Sequence, residues 1–190
     1  RGKGLMVKTA KEAINYAKLC GFYVISCFPN FSSHRILNAA LGFTTIYEIP
    51  RLQLAKNASQ SFSTNDKIKS DNDFLLFYSE RQYKAEGFTN FYTRDQDFFK
   101  WRFLNKPQSE YENYVIESDG SVMANIVLRI YKNELNIVDI QYNSEKEALA
   151  LIEFAINRFH SSSFEVLTVW CPANSKIHRV FEKYNFRNQY

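Results

Sequence analysis

The sequence has no CxxC pair, no apolar run of membrane-crossing length and no strong excess of either charge, and each absence removes a class of protein. Its three cysteines, Cys20, Cys27 and Cys171, form no such pair. That spacing argues against a zinc site or a disulfide framework, so no metal is expected and a reduced cytoplasm is the expected setting. No apolar stretch approaches the roughly 18 residues needed to cross a bilayer, and no signal peptide is visible, so no membrane partner is expected. The 24 basic and 20 acidic residues leave a formal net charge of only +4. An anionic ligand is allowed, but the steering field is too weak for nucleic acid to be the expected partner.

What is present reads as globular. Hydrophobic residues make up 45% of 190 and aromatics 16%, enough for one ordinary domain or two small ones. From Leu5 to Cys20 the apolar residues Met6, Ala10, Ala13, Ile14, Ala17 and Cys20 recur at helical spacing. Gly21 ends that helix, and "FYVISCF" reads as a buried strand. A second helix spans about Ser32 to Leu41, stops at Gly42, and is followed by "FTTIYEI", a further strand by composition. Residues from about Lys56 to Asp73 are rich in Asn, Ser, Asp and Lys and read as a linker. Then come two short aromatic helices, "FLLFYSERQY" and "RDQDFFKWRFL", and three strands at Tyr111–Glu117, Val122–Tyr131 and Leu135–Tyr142. Ser144 with Glu147 predicts a capping box for a helix to about His160. "FEVLTVW" is another strand and Asn174–Tyr184 the last helix, an α+β order with one parallel crossing.

The two ends repeat each other. At an offset of about 144 residues, Cys27, Asn30, His34, Arg35 and Ile36 match Cys171, Asn174, His178, Arg179 and Val180. "AIN" at Ala13–Asn15 likewise matches "AIN" at Ala155–Asn157, so duplication of one fold is expected. Projected back, "RGKG" at the start corresponds to "NSEK" at Asn143–Lys146, which directly follows a strand. The chain is therefore expected to begin midway through its first domain. Residues 1–55 would be the C-terminal half of that domain, 56–73 the linker, and 74–190 the second copy.

The opening "RGKGLM" is a glycine-rich turn leading into a helix. Gly2 and Gly4 can take positive φ, the helix dipole lies behind them, and Arg1 and Lys3 add charge. It is neither a Walker loop nor a dinucleotide fingerprint, because the required Ser/Thr and third glycine are missing. With "FPNFSSHRILNAALGF" after it, this stretch resembles the GNAT superfamily of N-acyltransferases. Arg1 and Gly4 fit that family's Arg/Gln-x-x-Gly-x-Gly/Ala pattern, and Met6 stands at its last small position. Asn30 and Gly42-Phe43 also fit. The resemblance implies tandem GNAT-like folds, each a mixed central sheet flanked by helices, with the first copy incomplete. It further implies acetyl-CoA or another acyl-CoA as co-substrate. The pyrophosphate would lie on Arg1, Gly2, Lys3, Gly4, Leu5 and Met6, with Asn30 and Ser33 near the pantetheine arm.

The second copy has no glycine in "NSEK", and Glu145 would repel a pyrophosphate, so that domain reads as one that has lost the cofactor. The resemblance also implies a tyrosine on the last helix as acid, but Leu37 or Asn38 and Phe181 stand there. Asp139 is the catalytic candidate, an acid expected on the strand face of Leu135 and Ile137. His34 and His178 are expected on helix surfaces. The expected reaction is acyl transfer to a small amine, in the resemblance an amino sugar. A Fem-like aminoacyltransferase and a non-catalytic GNAT-like binding module are the alternatives.

Overall fold

Strands form where apolar and polar residues alternate between turn residues, and residues 111–142 do this three times. β3 (Tyr111–Ser118), β4 (Ser121–Tyr131) and β5 (Glu134–Tyr142) make an antiparallel meander. Asp119 and Gly120 both take positive φ between the paired Ser118 and Ser121, the turn that matches strand twist in a two-residue hairpin. The computed structural model describes residues 4–56, 62–63, 67–73, 95–105 and 110–189. By its contacts the chain divides into Arg1–Glu48 (unit 1) and Ile49–Tyr190 (unit 2).

In unit 2 the meander joins a seven-stranded sheet. The other strands are β1 (Arg51–Ala55), β2 (Ile68–Ser70), β6 (Val166–Trp170) and β7 (Arg187–Asn188), in the order β2-β3-β4-β5-β6-β1-β7. Every pairing is antiparallel except β5 with β6. That parallel step is made through α4 (Glu145–His160), whose Leu151, Ile152, Ala155, Ile156 and Phe159 are fully buried on one stripe. They pack with Ile126, Leu128, Leu135 and Leu167 of the sheet, and with Val180 and Phe181 of α5 (Lys176–Lys183). The opposite face carries a smaller cluster. There Phe99 and Phe103 of α3 (Gln96–Phe99, continued as a π-helical turn at Lys100–Leu104) meet Val127 of β4.

The linker expectation meets two anchors. Ile68 lies in β2, paired to β3, and Phe62 is held by Asn157, whose amide exchanges hydrogen bonds of 2.9 Å with both backbone groups of Phe62. The Phe62 ring then packs edge-on against Tyr184 at 5.2 Å. Of the two aromatic helices, "FLLFYSERQY" lies outside the described residues.

The Tyr184 hydroxyl donates to Glu153 at 2.7 Å, and Tyr114 donates to Glu112 at 3.1 Å. Burial first, then the neighbouring carboxylate, raises both phenols. Tyr114 reaches about 12, and Tyr184, where the hydrogen bond adds more than the charge, also lies well above the ordinary tyrosine range. A raised folded value means that the stabilisation is complete below about pH 10 and is lost as pH climbs through the folded range. Tyr184→Phe is therefore expected to flatten the alkaline fall in urea-unfolding stability while changing little at pH 7. An unchanged alkaline slope would refute this.

Unit 1 contains α1 (Leu5–Leu19) and α2 (Phe31–Leu41) and no buried residue within either helix. α1 ends in a turn through Gly21, at φ 81°, where Phe22 N–H reaches back to Ala17 O. The expected strands "FYVISCF" and "FTTIYEI" form no ladder among the described residues, and Tyr23, Val24, Phe28 and Ile46 are exposed. A strand needs a partner to satisfy its backbone, and composition alone does not provide one.

Candidate functional site

The helices that follow "RGKG" and "NSEK" begin very differently. α1 starts at Gly4, in the left-handed region at φ 69°, with no side-chain cap and no acid in its first turn. Its first intrahelical bond runs from Lys8 N–H to Gly4 O at 3.1 Å, so the amides of Leu5, Met6 and Val7 have no acceptor within the helix. Leu5 and Met6 are exposed there. An added Cβ at Gly4 would meet nothing within 4 Å, so the space in front of this turn is open. At α4 the Ser144/Glu147 capping box forms as expected. Glu147 Oε2 accepts from Ser144 N–H at 2.7 Å and Asn143 N–H at 3.1 Å. A carboxylate of the chain thus occupies the position that an anion would need, and α4 has two acids in its first turn.

The other expected site residues are placed as follows. Arg1, Gly2 and Lys3 lie outside the described residues. Asn30 caps α2, and its Oδ1 accepts from Ser33 N–H at 2.8 Å and from the Ser33 hydroxyl at 2.9 Å. Asn30 and Ser33 are therefore brought together, as a helix cap. His34 Nε2 lies 2.7 Å from Thr45 Oγ1. His178 departs from the expected surface position. It is buried, and its Nδ1–H donates to Cys171 O at 3.2 Å. Phe181, at the tyrosine position, is core.

Asp139 requires a correction. The register passes from Leu128 opposite Ile137 to Val127 opposite Asp139, which leaves Val138 as an extra residue in a β-bulge. Each residue past a bulge changes face. Ile137 therefore faces α4, while Asp139 shares the opposite face with Val127 and lies apart from Leu135 and Ile137. Gln141, opposite Asn125, follows Asp139 on that face, and Asn113, opposite Val127, belongs to it too. All four polar side chains are buried. Asn113 Nδ2 donates to Asp71 Oδ2 at 3.0 Å, and Asn125 Nδ2 reaches Asn113 Oδ1 at 3.4 Å. Gln141 Nε2 is buried and has no hydrogen-bond partner among the described residues. Sequence reasoning missed this row. Its signal was the polar residues at alternate positions of "ENY", "AN" and "DIQ", which a reading of one strand at a time assigns to solvent.

The bulge also coincides with the end of pairing between β5 and β6, whose last partners are Ile137 and Val169. Beyond them β5 continues to Tyr142 with β4 alone beside it, so the two parallel strands part in mid-sheet. A mixed sheet with this opening, a helix crossing from β5 to β6 and a second helix after β6 decides the architecture. The fold is that of the GCN5-related N-acetyltransferases. The GCN5-related N-acetyltransferase from Anabaena variabilis aligns with all of this chain and 49% of its own, at TM-score 0.58 and 11% identity. That from Sphaerobacter thermophilus aligns with all of this chain and 66% of its own, at TM-score 0.53 and 11% identity. The chain thus spans about half to two thirds of the length of these GNAT proteins. No protein-family profile and no curated protein matches the sequence. Among the described residues no group of three or more His, Cys, Asp or Glu is placed to hold a metal ion. No described helix is long and apolar enough to cross a membrane.

Proposed function

We propose that the chain takes part in acyl transfer from acetyl-CoA, or another acyl-CoA, to a small amine such as an amino sugar, with unit 1 holding the coenzyme. The observation that carries this is the open amino end of α1, in contrast to the self-capped amino end of α4. The free amides after Gly4 are donors for a pyrophosphate, and the helix dipole favours the negative charge there. The fold likeness to GNAT proteins supplies the chemistry. The amine nitrogen attacks the thioester carbonyl, the carbon–sulfur bond breaks, and CoA leaves as its thiol with the proton that the amine gives up.

The test is to titrate the protein with acetyl-CoA by calorimetry and then follow thiol release with a panel of amines that includes glucosamine. Saturable binding with amine-dependent thiol release is the expected result, and absence of binding overturns the proposal. The absence of a tyrosine at position 181, where Phe181 is fully buried in the core, favours a second reading as a coenzyme-binding module. Binding without thiol release would select it.

A further inference from the structure

A string of alternating cations and aromatic rings crosses the face of unit 2 opposite α4, and the proposed transfer uses none of it. Val127 faces α3, and Arg129 and Tyr131 follow it on the same side of β4, with Tyr111 of β3 paired to Arg129. The Arg129 guanidinium carbon lies 4.9 Å from the centre of the Tyr131 ring and 5.8 Å from that of Tyr111. The string continues at both ends. Lys132 Nζ stands 5.4 Å from the Tyr131 ring. Tyr111 meets Phe103 edge-on at 5.2 Å, and the Arg102 guanidinium lies 5.6 Å from the Phe103 ring. Among the described residues none of these three cations has a carboxylate partner, and Arg129 Nε is buried without an acceptor. Glu134, the acid paired with Tyr131, is already held by Arg51 at 2.7 Å. The string lies toward the β4–β5 hairpin, at the other end of β5 from the point where β5 and β6 part.

We infer that this string binds single-stranded nucleic acid. Its three cations are separated by rings rather than gathered at one point. A lone phosphate therefore engages one of them, whereas a chain of phosphates engages all three. Tyr131 is 48% exposed, and Trp101, next to Arg102, is 66% exposed. Exposed aromatic rings interleaved with basic groups hold unstacked bases and their phosphates together. Every base has a π-face, so binding is expected to be tolerant of sequence. A duplex keeps its bases stacked and offers the rings nothing, and a polyanion without bases gains from the charges alone. The formal net charge of +4 is a sum over the whole chain and does not exclude a local cluster. The inference goes beyond the proposed transfer and holds without acyl-CoA, so the test omits the coenzyme.

The full chain is titrated into fluorescein-labelled oligo-dT and oligo-U at low salt, and fluorescence anisotropy is read. Saturable binding is expected, with log affinity falling against log salt at a slope of about −2, from three phosphate contacts at about −0.7 each. Lys132→Gln, at an exposed position, is expected to reduce that slope by about 0.7. Tyr131→Leu keeps an apolar side chain but removes the ring, and is expected to weaken binding at least about fivefold. In a Trp170→Phe background the emission of Trp101 is expected to change saturably with oligo-U, a readout that needs no substitution within the string. The inference falls if neither oligonucleotide binds. It falls equally if Lys132→Gln leaves the slope and oligo-U leaves the Trp101 emission unchanged, for then the strand rests elsewhere. If polyphosphate competes as well as unlabelled oligo-U and Tyr131→Leu binds as the wild type does, the surface holds polyanions without regard to bases, and the nucleic-acid assignment is overturned.

Discussion

A chain beginning at residue 57 is expected to lose the cooperative unfolding transition of unit 2, whereas one beginning at residue 49 is expected to keep it. β1 spans only Arg51–Ala55, but it lies between β6 and β7 and pairs with both. Leu52 and Leu54 are 2% and 1% exposed and belong to the main core cluster. Truncating one buried leucine to alanine costs about 2–5 kcal/mol. Losing two, together with the ladder to β6, therefore consumes most of the roughly 5–15 kcal/mol that holds a domain folded. β7, only two residues long, would also lose its partner strand. Urea unfolding followed by far-ultraviolet circular dichroism decides the matter. Equal midpoints and slopes for the two fragments would show β1 to be an accessory. In the full chain, Leu54→Ala should lower stability within the single-leucine range.

The importance of β1 bears on what a sequence discloses. Tyr111 to Tyr142 was legible because each strand alternates around turn residues and pairs with its immediate neighbour. α4 was legible because its stripe and its Ser144/Glu147 box lie within one segment. "RLQLA" alternates as well, but its partner Val166–Trp170 is more than a hundred residues away, and a pattern read locally cannot name a distant partner. The sequence reading grouped it with residues 1–55, and the structure gives it to the sheet of unit 2. The face of Asp139 was hidden for another reason. Strand periodicity is an unbroken count of two, and the single extra residue Val138 inverts everything after it. A bulge is set by the register with β4, which no run of residues in β5 announces. Gln141 was missed by the same mechanism. At the candidate coenzyme site the reverse holds. A glycine before an apolar-periodic run, with no acid in the first turn, is a local signal, and Gly4 takes the left-handed conformation that the pattern implies.

Replacing Gly4 by valine is expected to reduce acetyl-CoA affinity by at least about tenfold with little change in the stability of unit 2. At φ 69° a residue with a Cβ is strained by about 1–2 kcal/mol, and a β-branched one by more. The free protein can relieve that strain by unwinding the exposed first turn of α1, where no residue is buried. A bound pyrophosphate cannot tolerate that relief, because it needs the amides of Leu5, Met6 and Val7 held convergent. The strain is therefore charged almost wholly to binding, and the side chain also enters the open space in front of the turn. Gly120→Val is the matched control. Gly120 has φ 74° in the β3–β4 hairpin of unit 2, so the same substitution should lower the melting temperature there and leave coenzyme affinity unchanged. Calorimetric titration of both variants with acetyl-CoA separates the effects. If Gly4→Val binds as the wild type does, the amino end of α1 is not where the coenzyme rests, whatever activity the chain retains.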